Sequence, residues 1–361
     1  MVHDDLDVTV DRVVAALVAA RPESVASGRV HVRGPVTARV RKASHPPPAE
    51  LLEETFPPML ATLVEELPPK IGRERWVLEL KYDGFRSLSA ISGGAVAMWT
   101  RNALDLAARC PGVARALERV KVPEAVIDGE VVSVDEAGVS RFGRLARAGA
   151  GHREIVLFAF DLLWLDGQDL RGRPLEERRD LLASVLDNGP DEIRLAERVD
   201  GPPAEALARV AAEGHEGLIA KLRGSVYTPG RSRDWLKLKA LVGQELAIVG
   251  FSPNKGHPGL VGALLVAYAE DGKLRYAGKV GTGFDAKLSR ELASRLSADA
   301  VDTPRAEGAP RMRDVTWVEP KLVAEVRFSE WTADGKLRHS AFVGLRPDKT
   351  PLECVRERPQ P

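Results

Sequence analysis

The chain has 361 residues, with 44% apolar and 29% charged side chains; 52 Lys and Arg cancel 52 Asp and Glu. That balance belongs to an ordinary globular chain and excludes a collagen-like, wholly disordered or uniformly basic protein. Residues 13–20 form the longest apolar run near the start, too short to span a membrane, and the acidic leader does not read as a secretory signal. Two cysteines, Cys110 and Cys354, make neither a disulfide framework nor a cysteine metal cluster, and a reducing cytoplasm is expected.

Residues 1–50 read as an accessory segment. Val8, Val13, Val14, Leu17 and Val18 recur at helical spacing. Two alternating runs flank Gly34-Pro35, which predicts a hairpin. Residues 29–42 hold five Arg or Lys and no acid, either a basic arm for phosphates or a solvated tail. Pro46-Pro47-Pro48 reads as a stiff linker.

From 51 to 240, strand-like runs alternate with helical stretches, which predicts an α+β or α/β body. Strands are expected at 76–82, 125–132, 155–163, 217–221 and 235–239, and helices at 175–186 and 203–212. Residues 241–361 carry short β-rich runs at 245–251, 263–268, 274–280, 322–328 and 341–345, which predicts a small β-barrel or sandwich. A long Gly-rich loop is expected at 253–262.

Chemistry gathers on the strands. Alternation puts Trp76, Leu78, Leu80 and Tyr82 on one face and Val77, Glu79, Lys81 and Asp83 on the other. Asp128 and Glu130 flank Gly129 in an apolar run. Lys237 and Lys239 share a face and repel unless an anion sits between them. Each segment alone could be a solvated strand. Together, lysines, acids and Phe160 suit a nucleoside triphosphate: cations for phosphates, carboxylates for a divalent metal, an aromatic for the base. Neither a Walker A loop nor a Gly-x-Gly-x-x-Gly fingerprint is present, so side chains on strands would hold the nucleotide. His215, His257, Cys110, Cys354, Trp317 and Trp331 read as structural or solvated.

Lys81-Tyr82-Asp83-Gly84-Phe85-Arg86 resembles the Lys-x-Asp-Gly-x-Arg nucleophile motif of covalent nucleotidyltransferases. Thr100-Arg101-Asn102, Asp128-Gly129-Glu130, Phe158 to Asp161, Glu216-Gly217 to Lys221, the 235–239 run and Arg346-Pro347-Asp348-Lys349 resemble that family's further motifs in order. The whole resembles an ATP-dependent DNA ligase, most of all the ligase module of bacterial ligase D-type end-joining enzymes. The resemblance implies an α+β nucleotidyltransferase domain of ATP-grasp-like antiparallel sheets plus helices at 51–240, then a small OB-fold β-barrel at 241–361. It implies ATP and Mg²⁺ or Mn²⁺ as cofactors. Nicked or broken double-stranded DNA would be the partner, with a Ku-like end-binding protein, a separate polymerase and a monomeric chain as further expectations.

The same resemblance assigns roles. Lys81 would take AMP covalently. Glu79 would meet the adenine amine and Phe160 would stack on the base. Arg86 and Arg101 would hold the ribose end or phosphates. Glu130 and Glu216 would hold metal. Lys221, Lys237 and Lys239, helped by Arg231, would grip the α-phosphate. Arg346 and Lys349 would swing in to orient pyrophosphate in the first step only, about a hinge near 240–244. Lys237, Lys239 and the metal are expected to favour a neutral Lys81 amine by repulsion, against Asp83. An RNA ligase, a GTP-using capping-type transferase and a non-catalytic DNA-end binding module are the competing readings.

Overall fold

The structure, a computed structural model, describes residues 45–147 and 155–360. Every described residue belongs to one compact unit, Ser44–Pro361. The helix, hairpin and basic run expected before residue 43 lie outside the described residues.

Helix α1 (Pro48–Thr55) comes first. Pro48 starts it, where a missing N–H leaves no helical bond unmade, so the expected linker ends in a helix. Leu51 and Leu52 pack into a core with Leu88, Ala90 and Val126. Strands β1 (Met59–Leu63), β2 (Trp76–Leu80), β3 (Phe85–Ser92) and β4 (Ala95–Trp99) follow, then α2 (Pro111–Leu117), β5 (Glu124–Ser133) and α3 (Phe142–Arg147). The body continues through β6 (Ile155–Leu165), β7 (Gln168–Asp169), α4 (Leu175–Leu186), β8 (Ile193–Leu195), α5 (Pro203–Ala212), β9 (Gly217–Leu222) and β10 (Gly230–Lys239).

Two sheets result. One runs β1-β10-β9-β2, the other β4-β3-β5-β6-β7 with β8 on β6. They pack on each other through Leu78, Leu80 and Tyr82 against Val156 and Phe158, and through Met59, Tyr227 and Trp235 against Leu88 and Leu163. Val113, Leu117 and Leu182 of α2 and α4 cover the other side of the larger sheet, over Phe85, Ile127 and Leu157. The mixed-charge face expected of β2 is buried too, since Val77 and Glu79 are as enclosed as their neighbours.

The remainder is β11 (Gly243–Asn254), β12 (His257–Glu270), β13 (Lys273–Val280), α6 (Ala286–Ser297), β14 (Ala300–Val301), β15 (Thr316–Val318), β16 (Val323–Arg327), β17 (Glu330–Trp331), β18 (Leu337–Arg338) and β19 (Ala341–Leu345). The 12-residue β11 is long enough to pair with β12 along one edge and with β15 and β16 along the other. The sheet runs β13-β12-β11-β15-β14, with β19 on β16. Among the described residues these ladders do not close into a ring. The core between Leu246, Ile248, Leu264 and Val266 is instead covered by Leu292 and Leu296 of α6. The expected loop at 253–262 is corrected: β11 and β12 extend through it, with Asn254 opposite His257 and bulges taking up the extra residues.

Candidate active site

Lys81 sits just past β2. Its N–H donates to Gly217 O at 2.9 Å, tying it to the start of β9. Gly84 sits where an added Cβ would meet the Val131 carbonyl oxygen at 2.2 Å, so the turn after Lys81 closes on β5 only without a side chain. Gly217, at φ +151°, is likewise pressed against the Leu238 carbonyl. These two glycines bring Lys81, Glu130 and Glu216 to the mouth of one cleft.

That cleft, about 200 Å³, is lined by every residue to which the resemblance gave a role: Glu79, Lys81, Arg86, Arg101, Glu130, Phe160, Glu216, Lys221, Arg231, Lys237, Lys239, Arg346 and Lys349. Nine basic and eight acidic side chains face it, so its charges nearly balance.

The pairing inside is specific. Lys81 Nζ donates to Glu216 Oε2 at 2.5 Å. Burial pulls the Lys81 amine down, but Glu216 outweighs it, with Asp83 adding and Lys239 opposing, and the net direction is up. Lys237 and Lys239 by themselves therefore do not hold Lys81 neutral, because the Glu216 carboxylate stands closer than they do. Lys237 and Lys239 both pair with Glu357, Lys239 at 3.0 Å. Burial, only partly offset by Glu357, pushes Lys237 down to about 8.

At the inner end, Arg179 of α4 donates to Glu79 Oε1 at 2.5 Å, and Lys221 pairs with Glu79 Oε2 at 2.9 Å. Lys221 also donates to Phe160 O at 2.9 Å, which sets it beside the aromatic wall of Phe160 and Trp235. Arg86 grips Asp128 through two bonds of 2.5 Å and lies 4.5 Å from the Phe160 ring centre. Tyr227 donates to the same Asp128 at 2.7 Å. Arg231 and Arg101 stand at the rim, Arg231 donating to Ala61 O at 2.9 Å and Arg101 facing Glu353 at 3.9 Å.

The β11–β19 part of the chain closes the cleft. Arg346 contacts Asp348 at 2.8 Å, Glu325 at 3.3 Å and Glu245 at 3.4 Å; Lys349 contacts Glu245 at 2.8 Å. Glu245 and Glu325 are cross-strand partners in β11 and β16. Burial and the Glu245 charge push Glu325 up to about 8, while Lys349 and Arg346 overcome burial to hold Glu245 well down. Arg327 donates to Asp83 at 3.2 Å across the same junction.

Glu130 is the free carboxylate. It has no hydrogen bond or ion pair among the described residues, and burial pushes it up to about 7. Among those residues no three His, Cys, Asp or Glu cluster as metal ligands. Glu130 is an unpaired oxygen donor, and Glu216 a second one now shared with Lys81. They fit a hard divalent cation that takes its remaining ligands from phosphate and water, as Mg²⁺ does.

Sequence reasoning singled out Asp128 without giving it a role, and missed Arg179, Glu245, Glu325 and Glu357. For Arg179 a signal existed. Leu175, Arg178, Arg179 and Leu182 are the buried positions of α4, so two arginines occupy a core stripe and demand buried acids. They find them in Asp161 and Glu79. For Glu357 no motif or periodicity pointed to the cleft.

The family described as ATP dependent DNA ligase domain matches residues 58–239, and that described as ATP dependent DNA ligase C terminal region matches 257–349. The multifunctional non-homologous end joining protein LigD of Pseudomonas aeruginosa is 39% identical over 317 residues, covering 85% of this chain and 37% of that protein. LigD of Mycobacterium tuberculosis strain H37Rv is 37% identical over 309 residues, 84% of this chain and 40% of its own. The chain thus spans well under half the length of these relatives. A solved structure of mycobacterial DNA ligase D complexed with ATP and MES superposes with a TM-score of 0.62 at 36% identity, over 82% of this chain and 98% of that one. No helix among the described residues is long and apolar enough to cross a membrane.

Proposed function

As the chain belongs to the ATP-dependent DNA ligases, we propose that it seals nicks or breaks in double-stranded DNA through an AMP carried on Lys81. The observation that carries this reading is a single cleft that gathers Lys81, paired carboxylates and a row of cations between two sheets. The relatives named for non-homologous end joining support repair of broken ends as the setting.

In the first step the Lys81 amine, having released a proton, attacks the α-phosphorus of ATP. A P–N bond forms, the bond to the β-phosphate oxygen breaks, and pyrophosphate leaves. Glu216, 2.5 Å from Nζ, is placed to hold the amine before attack. Lys237 and Lys239 neutralise the α-phosphate, and Arg346 and Lys349 face the leaving pyrophosphate. Glu79, fixed by Arg179 and Lys221, offers an acceptor to the adenine 6-amine and favours ATP over GTP. In the second step a DNA 5′-phosphate oxygen attacks the same phosphorus and Lys81 leaves. In the third, a 3′-hydroxyl attacks the 5′-phosphate and AMP departs, joining the strands. Mg²⁺ or Mn²⁺ held by Glu130 and Glu216 would add positive charge against the phosphoryl oxygens.

The test is covalent labelling with α-phosphate-labelled ATP and Mg²⁺, with GTP in parallel. Label on the denatured protein from ATP alone, absent in Lys81→Ala, is the expected result, followed by sealing of nicked DNA. Label from GTP moves the reading to a capping-type transferase. Absence of label, after pyrophosphate treatment to strip any bound AMP, returns it to a binding module.

A further inference from the structure

The segment after β19 crosses the cleft. Thr350–Glu353 form a turn closed by reciprocal bonds between Thr350 and Glu353. Ala269 N then donates to Cys354 O at 2.8 Å, anchoring the chain on β12. Buried Gln244 grips the next residues at both ends of its amide: Nε2 donates to Val355 O at 2.8 Å, and Oε1 accepts from Glu357 N at 3.1 Å. Arg356 lies 4.5 Å from the Trp331 ring centre. Gln360 N donates to Leu63 O at 2.9 Å, on β1 of the opposite sheet. The segment is tied to both halves of the molecule, and Glu357 at its middle points inward.

Glu357 presents one carboxylate oxygen to Lys237 and the other to Lys239. A singly charged, two-oxygen anion bridging two lysines is what a phosphate would offer them. We propose that residues 355–360 form a strap whose Glu357 competes with nucleotide phosphate for Lys237 and Lys239, so that ATP binds by exchange. The proposal rests on the reading of these lysines as the phosphate grip. Besides the Glu357 pairs, the strap is held by one bond that Gln244 donates, one that it accepts, one to Leu63, the Arg356–Trp331 contact and a 3.9 Å Arg358–Glu270 pair, all near the surface or single, so a polyphosphate of higher charge displaces the carboxylate without unfolding either half.

The experiment is equilibrium dialysis of the full chain against α-labelled ATP in EDTA, so that nothing is transferred. Glu357→Gln removes the competing charge and is expected to tighten ATP about three- to tenfold. Gln244→Ala changes no charge and only unties the strap; it is expected to tighten ATP by about two- to fivefold. Glu357→Asp keeps the charge and should stay within about twofold. Unchanged or weaker ATP binding by Glu357→Gln overturns the strap. So does tightening by Glu357→Gln with Gln244→Ala unchanged, which reduces the effect to the general field of one acid. Circular dichroism checks that each variant is folded. Lys81 labelling in Mg²⁺, run alongside, separates the two readings: absence of label from every variant defeats the transferase while dialysis still decides the strap.

Discussion

At the residue scale, the cleft is governed by which carboxylate each cation faces. Glu79 shows the logic. It is 2% exposed, and its two oxygens are taken by Arg179 and Lys221, so it stays an acceptor in a fixed position. Glu79→Gln gives that position an amide that also donates, which suits the guanine carbonyl. The expected outcome is a fall of at least about tenfold in preference for ATP over GTP, read as the ratio of label transferred to Lys81 from each. Much of this was legible in advance: the thirteen residues named by the family resemblance all line one cleft. Their partners were not, because an ion pair joins residues distant in sequence. Glu79 and Arg179 lie 100 positions apart, and Lys237 and Glu357 lie 120 apart.

Periodicity decides what is legible at the scale of elements. Helices predicted at 175–186 and 203–212 appear with those limits. Helix α6 was missed although Leu288, Leu292 and Leu296 recur every four residues, because Arg and Glu between them hid the stripe in a β-rich region. Its start is fixed by Asp285, whose side chain accepts from Leu288 N at 2.8 Å. The loop expected at 253–262 failed for another reason: glycine and proline there serve bulged strands, where they mimic turn composition. Helix α4 carries the stability prediction. Arg178 and Asp161 are both fully buried and bonded at 2.7 and 2.9 Å. Arg178→Met leaves a buried carboxylate without its partner, and should lower unfolding free energy by about 3–5 kcal/mol in urea titration. A loss below about 1 kcal/mol would show that the Asp161 charge is satisfied elsewhere.

At the scale of the molecule, function depends on two halves meeting. Asn102, in the turn after β4, donates to Asp348 O at 2.7 Å and to Glu353 at 3.0 Å, and so holds the segment bearing Arg346 and Lys349 over the cleft. If those two residues serve only the pyrophosphate step, Asn102→Ala should slow Lys81 labelling about fivefold, the worth of about one hydrogen bond. Sealing of a nick already carrying AMP should remain within about twofold. Equal slowing of both reactions would mean that the junction serves every step. What joins the halves covalently is brief: β10 ends at Lys239 and β11 begins at Gly243. Three intervening residues reach no farther than roughly 14 Å when fully extended. On opening of the junction, as the proposed swing of Arg346 and Lys349 requires, the second half would turn about this point but hardly depart from it. Its local concentration at the cleft stays in the millimolar range that short tethers impose. Reclosure is accordingly a first-order event, indifferent to dilution, and the extent of opening is set by rotation rather than by diffusion.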